Sequence, residues 1–558
     1  MQCRFRRPLV CWHHALAVLL AGVLCGAAGC DAVLAASPEA APIPSDAELE
    51  AGGARIGTIE IDREQIFNLD DPRENYWLYS AADHLHKHTR ESAIRARLLI
   101  RTGQPYSRAL LDETARVLRN TAPYVREPEI RPVRYHDGVV DIEIITHDVW
   151  TLSPAFNFGR SGGTDSTNFN ISDANLFGFG KSGEVGHSTS VDRNSSFASW
   201  FDPNVWGSRW QDSLQYANNS DGKVWTIMAG RPFYSLETPY ALGGTTGDNR
   251  GIVTRYSLGL SYDAYALDER VTDLYVGKAL LVDERWTVRA LLGWRRDENL
   301  FTLAPNKALL GPLPADRNLA YPYARVQWIE NDFATTHNLN QIAFTEDLHY
   351  GLFANLGLGF ASPTFGADRQ AVLIDGTITH GWHFGTGQNL FVAGTVAGRL
   401  SSGQLQDALA TGSASYYLTT SEQTKFVIKL SADEGHALDL DHFLQLGGDT
   451  GLRGYPLRYQ TGSGRGLLSL EERVYTPWFP WRLVHVGGAV FFDAGRTWGT
   501  APIPTPYLGL LKDFGAGLRL GNARSSFGNV IHIDAAVPLD GQANISKVQF
   551  LVSTEKTY

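Results

Sequence analysis

The chain has 558 residues, of which 49 are Lys or Arg and 59 are Asp or Glu, so its formal net charge is −10. An acidic chain lacks the basic surface needed to bind a nucleic-acid backbone, and we exclude that class of partner. The mean hydropathy is −0.18, and no uninterrupted apolar run after residue 29 approaches the ~18 residues of a membrane-spanning helix. A membrane protein built of helices is therefore excluded as well.

The first 36 residues have the composition of an export signal. Three arginines precede an apolar stretch at 15–29, and small residues that suit a cleavage site follow up to Ala36. An alternative is lipidation of Cys30 after Ala27-Ala28-Gly29. All four cysteines of the chain lie here, so a mature chain would have no disulfide, thiolate metal site or thiol nucleophile. The four are Cys3, Cys11, Cys25 and Cys30.

Residues 37–53 are rich in proline, alanine and acidic side chains, which predicts a linker. A small α/β domain is predicted over 54–148. Its elements occur in the order strand, helix, helix, strand, strand, and Asp137-Gly138 marks a hairpin between the last two. The predicted ranges are 54–63, 74–88, 107–119, 129–136 and 139–146.

Residues 149–558 alternate between apolar and polar side chains almost throughout. In one segment, Trp286, Val288 and Leu292 alternate with Thr287 and Arg289. Successive side chains of a strand point to opposite faces, so each strand has one apolar face and one polar face. Apolar faces that end in Trp or Tyr, behind an export signal, favour a transmembrane barrel, whose backbone polar groups are all paired. We predict an all-β barrel of about sixteen antiparallel strands.

Four motifs carry a family resemblance: LGGDTGLRGY at 446–455, DANLFG at 173–178, EER at 471–473 and FFDAG at 491–495. With these motifs the chain resembles the outer-membrane assembly-factor superfamily, the bacterial surface antigen family. It comprises BamA/TamA-type insertases and two-partner-secretion transporters. The resemblance implies a barrel preceded by polypeptide-transport-associated (POTRA) domains. Only one POTRA-like unit fits before the barrel, as in a short member.

The resemblance also implies that the loop motif folds back into the lumen. Its residues are Leu452, Arg453, Gly454 and Tyr455. A guanidinium in a lumen gains most from planar carboxylates, because it offers paired donors. We predict Asp493 as the first partner of Arg453, as the family's Arg–Asp lock also implies, and Glu472 as the second.

The expected function is insertion or translocation of polypeptides at the outer membrane of a Gram-negative bacterium, with the small domain in the periplasm. An extended client would add as a strand to an edge of that domain. The expected partners are outer-membrane lipid, the client and accessory periplasmic subunits. The alternative is a passive pore or a lipid-handling barrel. The candidate edge consists of Ile130, Arg131, Pro132, Val133, Arg134 and Tyr135.

Three other motifs favour plain structural roles. Gly159-Arg160-Ser161-Gly162-Gly163 matches a hydrolase pattern, but that chemistry needs a strand–turn–helix elbow, and two strands flank it here. His84 and His88 have a spacing that could hold zinc, yet no third ligand follows from the sequence. Asp441-His442 has no nucleophile beside it. We expect no enzymatic activity, no cofactor and no metal.

Overall fold

The computed structural model describes residues 43–342, 344–522, 524–526, 530–541 and 545–555. The predicted signal peptide at 1–36 and the first part of the predicted linker lie outside these residues. Among the described residues, no helix combines the length and apolar composition needed to cross a bilayer.

A small domain precedes the barrel. Its three-stranded sheet has the order β1 (Arg55–Glu64), β3 (Val139–Asp148), β2 (Val125–His136), with β1 parallel and β2 antiparallel to β3. Helix α4 (Arg108–Thr121) is capped by Ser107, whose side chain accepts from the N–H of Leu110. The helix buries Leu111 and Leu118 in the domain core. The elements are α1 (Asp46–Ala51), β1 (Arg55–Glu64), α2 (Trp77–Leu85), α3 (Glu91–Arg95), α4 (Arg108–Thr121), β2 (Val125–His136) and β3 (Val139–Asp148).

Part of the segment predicted to be a linker is a helix of this domain. In α1, Ser45 and Glu48 form a reciprocal capping box, which satisfies backbone N–H groups at the start of the helix. Leu49 is buried in the core of the domain. The Ser-x-x-Glu spacing was present in the sequence, but the composition of the surrounding residues concealed it.

Within the part of the chain that the structure describes, twenty antiparallel strands close into a barrel. The expected number of about sixteen is wrong, because several connections, such as 162–163 and 258–259, are two-residue turns that leave more chain for strands. The first strands are β4 (Leu152–Ser161), β5 (Thr164–Asp173), β6 (Ser182–Thr189), β7 (Asn194–Asp202), β8 (Gln211–Asn219), β9 (Gly222–Arg231), β10 (Tyr240–Ser257), β11 (Leu260–Val282), β12 (Trp286–Leu303) and β13 (Arg317–Glu330).

Two hairpins outside the barrel wall interrupt the second half of the strand order. They are β14 (Phe333–His337) with β15 (Thr345–His349), and β21 (Leu444–Leu446) with β22 (Gln460–Gly462). The remaining wall strands are β16 (Phe353–Ala361), β17 (Ala371–His383), β18 (Gln388–Ser401), β19 (Gln404–Thr419), β20 (Thr424–His436), β23 (Gly464–Tyr475), β24 (Val484–Trp498), β25 (Leu511–Asn522), β26 (Val530–Pro538) and β27 (Gln549–Glu555).

The wall alternates as its sequence predicts. On β24, Phe491 and Asp493 are buried toward the lumen, whereas Val490 of the same strand is 57% exposed on the outer face. Exposed apolar side chains recur around the outer surface, and polar or charged side chains are buried inside. Examples of the outer belt are Leu214, Ile227, Leu274, Val276, Leu292, Leu356, Leu358, Leu430, Phe514 and Leu518.

We call the end of the barrel that contacts the small domain the domain end, and the opposite end the distal end. Three turns at the domain end share one geometry. Phe177, Trp206 and Trp481 have positive φ of 50–53° and expose 69%, 97% and 78% of their surfaces. Bulky side chains rarely adopt this conformation. The repeated geometry therefore points three large aromatic side chains outward.

Candidate functional site: the occupied lumen

The loop at 437–463 enters the lumen from the distal end, and Arg453 lies at its centre. Its Nε and Nη2 donate to the two carboxylate oxygens of Asp493 at 2.7 and 2.9 Å. Nη1 donates to Oε2 of Glu471 at 2.9 Å, and the guanidinium lies 3.3 Å from the ring centroid of Phe491. Arg453 is thus held by a bidentate pair, a second carboxylate and an aromatic face.

Glu471 is the junction of a larger network of charges. Its Oε1 accepts from Arg473 at 2.8 Å, and its Oε2 accepts from Arg519 at 3.2 Å as well as from Arg453. Arg519 also donates to Asp534 at 2.5 Å. Three guanidiniums thus meet three buried carboxylates, counting Asp493, beside a cavity of about 610 Å³. This balance allows the charges to be buried together.

The residues around Arg453 seat the loop by close packing. A Cβ at Gly454 would lie 2.6 Å from Cβ of Asp513, so glycine is required for close approach rather than for a positive φ. Leu452 and Tyr455 are fully buried. The hydroxyl oxygen of Tyr455 lies 2.8 Å from the carbonyl oxygen of Lys512 and 2.9 Å from that of Asp540.

The structure places the two predicted partners of Arg453 on opposite faces of the wall. Asp493 contacts Arg453, whereas Glu472 pairs in register with outward-facing Val490. The glutamate that contacts Arg453 is Glu471. The sequence contained the signal: Ser469, Glu471 and Arg473 alternate with Leu468, Leu470 and Val474, so the face shared by Glu471 is the polar one.

The β14–β15 hairpin enters the lumen from the domain end, and sequence reasoning missed it. Leu339 at its tip is 1% exposed and packs against Tyr417 and Val427 of the wall. Carboxylate oxygens of Glu346 accept backbone N–H groups of residues 339–341 at 2.7–3.2 Å, which fixes the shape of the tip. Hairpin and loop thus occupy the lumen from its two ends.

The small domain holds the other side of this hairpin. Arg119 of α4 makes a bidentate pair with Asp347, at 2.9 and 2.6 Å. Glu127 accepts from the hydroxyl of Thr345 at 2.6 Å, and the guanidinium of Arg116 lies 3.7 Å from the ring centroid of Phe333. The hairpin therefore bridges the small domain and the inner wall.

A second attachment joins the small domain to turns at the domain end. Glu74 is buried and pairs with Arg482 and Arg524, which follow β23 and β25 respectively. The hydroxyl of Tyr79 donates to the carbonyl of Trp481, and its ring stacks on Phe67. The domain is thus fixed to the barrel at separate places.

The candidate client edge lies on β2, which is an edge strand of the domain sheet. Its pairing with β3 is interrupted between Pro132 and Arg134. Pro132 has no N–H to donate, and prolines and bulges are features that limit edge pairing. Arg131 donates to Glu143 at 2.9 Å, and Arg134 donates to Asp141 at 2.7 Å.

The remaining motifs have ordinary surroundings. Ser161 ends β4 at a two-residue turn that leads to β5, so no helix follows it. His84 contacts the carbonyl of Ser80 at 2.8 Å, one turn earlier in its helix. His86, rather than His84 or His88, makes the shorter contact with Asp148, at 3.1 Å.

Near the distal end, Asp407, Asp439 and His442 form the one group within the described ranges whose ligand atoms lie within 4.8 Å of one another. Arg399 already donates to Asp439 at 2.7 and 2.6 Å and to Asp407 at 3.3 Å. We therefore interpret the group as an ion-pair cluster that holds the loop.

His442 makes this contact dependent on pH. Its Nδ1 lies 2.8 Å from Asp407, and that hydrogen bond raises the pKa of His442 above its ordinary 6.5. A raised histidine pKa contributes stability that is complete below pH 6.5 and is lost as the pH rises through the folded value. We expect histidine NMR to show this raised pKa, and Asp407→Asn to lower it. An unchanged pKa in that variant would contradict the assignment.

Comparisons with known proteins give structural likenesses only. No family model and no curated protein matches the chain. CdiB from Acinetobacter baumannii matches with 13% identity over 90% of this chain and 73% of its own, at a TM-score of 0.46. CdiB from Escherichia coli matches with 14% identity over 90% of this chain and 76% of its own, also at a TM-score of 0.46. BamA from Haemophilus ducreyi lacking POTRA domains 1–3 matches with 16% identity over 89% of this chain and 85% of its own, at a TM-score of 0.38.

BamA, one of the proteins that the sequence motifs resemble, is among these structural matches. Their TM-scores lie below 0.5 and their identities do not exceed 16%. These likenesses therefore add no evidence on function to the geometry of the lumen.

Proposed function

We propose that this protein is an outer-membrane barrel that assists insertion or translocation of polypeptides, with its small domain in the periplasm as a single POTRA-like unit. The apolar outer belt suits a bilayer, and exposed Trp and Phe at the domain end suit a membrane–water interface. A lumen occupied by two segments of the chain favours a passage that opens only during transport over a steadily open pore. No catalytic step is required.

The observation that carries the proposal is the weak closure of the barrel. Among the described residues, β27 and β4 register at one pair, Val552 with Arg160. By contrast, β26 and β27 pair continuously from Val530↔Glu555 to Ala536↔Gln549. Unpaired strand edges accept other strands, because their N–H and C=O groups seek partners. This seam is where a client strand would enter the wall.

The small domain would present the client to the barrel. Residues 130–135 of β2 provide an edge for strand addition, although Pro132 limits the number of hydrogen bonds. Backbone pairing suits varied clients, because it requires no particular sequence. Photo-crosslinking in cells from position 134 tests this step by identifying the polypeptides that bind there.

A disulfide across the seam tests the function. Paired residues of antiparallel strands lie at about 4.5–5.5 Å between Cα atoms, within the range a disulfide spans. Arg160→Cys with Val552→Cys would tie β4 to β27. We expect the oxidised variant to lose from the outer membrane the same polypeptides that are lost when the protein is deleted, as measured by quantitative proteomics of that fraction.

Phe158→Cys with Thr167→Cys is the matched control, since this pair joins β4 to β5 on the same outer face. The control should retain those polypeptides. If deletion of the protein removes none, or if the seam disulfide leaves all of them in place, the proposal fails.

A further inference from the structure

The hairpin seat on the lumen wall has the chemistry of a peptide-binding site. Lys425 of β20 donates from Nζ to the backbone carbonyl of His337 at 2.9 Å. Arg473 of β23 donates from Nη1 to the backbone carbonyl of Leu339 at 3.2 Å. Both cations are more than nine-tenths buried, at 7% and 4% exposure. Two wall cations therefore bind alternate carbonyls of one segment of chain.

We propose that this seat is a binding site for the backbone of a bent polypeptide segment, in which the tip of the β14–β15 hairpin is the resident occupant that a client displaces. The proposal rests on the proposed function. Asn338, between the two bound carbonyls, has a positive φ of 58°, so the seat holds backbone at a bend. Because both cations bind carbonyl oxygens and not side chains, these contacts require no particular sequence. The ring of Tyr417 and the side chain of Val427 beside the cations would accept varied side chains.

The seat is also connected to the Arg453 loop. Arg473, which binds the hairpin carbonyl, donates to Oε1 of Glu471, and Arg453 donates to Oε2 of the same carboxylate. A client that takes the hairpin's place would keep Arg473 occupied. In an empty seat, Arg473 would lose the carbonyl of Leu339 as a partner and keep Glu471. Occupancy of the seat therefore affects the ion pairs of Arg453 with Glu471 and Asp493, which hold the loop in the lumen.

Peptide binding to a protein without the hairpin tip tests the site. Residues 335–347 are replaced by a short Gly-Ser linker in the otherwise full chain, and the purified protein is titrated with a fluorescent peptide of sequence 335–347. We expect saturable binding, and binding of a scrambled peptide within a few-fold of it. Adding Lys425→Gln and Arg473→Gln should weaken both by at least about tenfold, because two charge-assisted hydrogen bonds are lost.

Lys307→Gln, in a loop between β12 and β13, is the control for loss of a cation away from the seat and should leave peptide binding unchanged. Absence of binding to the tip-deleted protein, or equal binding by the double variant, would overturn the proposal. If the peptide test fails but the seam disulfide still depletes clients from the outer membrane, the binding seat is wrong and the proposed function stands.

A second measurement applies if the tip-deleted protein does not fold. In the full chain, Lys425→Gln with Arg473→Gln should loosen the hairpin and increase chymotrypsin cleavage at Leu339 and Phe344. Unchanged cleavage, relative to the Lys307→Gln control, would also overturn the proposal.

Discussion

Replacing Arg453 with alanine should cost about 3–5 kcal/mol of unfolding free energy, because it leaves the buried carboxylate of Asp493 without its cation and removes one of the three cations of Glu471. Asp493 is fully buried and Glu471 is 6% exposed, so neither can recover its hydration in place. Urea unfolding in detergent, followed by heat-modifiable gel mobility, measures the loss. We expect client-dependent assembly to disappear in cells even where the barrel still folds, because the loop is released from the wall.

Arg458→Ala is the matched control for this prediction. Arg458 belongs to the same loop and makes a bidentate pair with Asp192, at 2.8 and 2.6 Å, at the protein surface. Pairs at the surface contribute about 0–1 kcal/mol. Equal losses in the two variants would contradict the clamp. Arg453→Lys should be intermediate, because an ammonium keeps the charge but not the bidentate geometry.

The network also limits what a charge exchange can restore. Arg453→Asp combined with Asp493→Arg would place the new carboxylate beside Glu471, since Glu471 now accepts from Arg453 at 2.9 Å. Like charges at that distance repel. We therefore expect only partial recovery from the exchange, and more complete recovery when Glu471→Gln is added.

Excision of the hairpin tip, residues 335–347, should open the lumen to ions. The wild-type protein should show little steady current in planar bilayers, because hairpin and loop fill the lumen from both ends. The excised protein should show a larger steady conductance. Combining the excision with Arg453→Ala should raise it further, because the loop is then unclamped as well.

A disulfide that fixes the hairpin is the opposite variant. Cβ of Ile342 lies 2.9 Å from the Cβ position of residue 521, so Ile342→Cys with Gly521→Cys places two thiols within reach after a small shift of the tip. The oxidised protein should stay closed, and reductant should restore wild-type behaviour. A conductance that is indifferent to excision would show that the hairpin does not close the lumen.

Much of the architecture follows from the sequence because strand alternation is a local property. The apolar outer face, the polar lumen and the position of Arg453 opposite Asp493 all depend on period-two patterns and one motif. The strand number was underestimated because tight turns cannot be counted from composition. Only the alternation of faces along β23 shows which of the glutamates at 471 and 472 points into the lumen. Ser469 and Arg473 mark that polar face, and Glu471 shares it.

The hairpin could not be predicted, for a different physical reason. Residues 333–349 have little apolar alternation of their own, and their conformation depends on contacts with distant residues. Arg119 and Glu127 of the small domain hold one side, and Lys425 and Arg473 hold the other. Such a segment is specified by tertiary partners, which no local pattern reveals.

Glu471 is connected to both segments that fill the lumen, the loop and the hairpin, and this has a consequence for evolution. Because Glu471 accepts from Arg453 and from Arg473, a substitution at position 471 disturbs two elements in one mutational step. Homologous chains that have lost this acid should therefore have changed both arginines with it. The three positions are expected to covary as a set across species, whereas the outward-facing position 472 drifts independently.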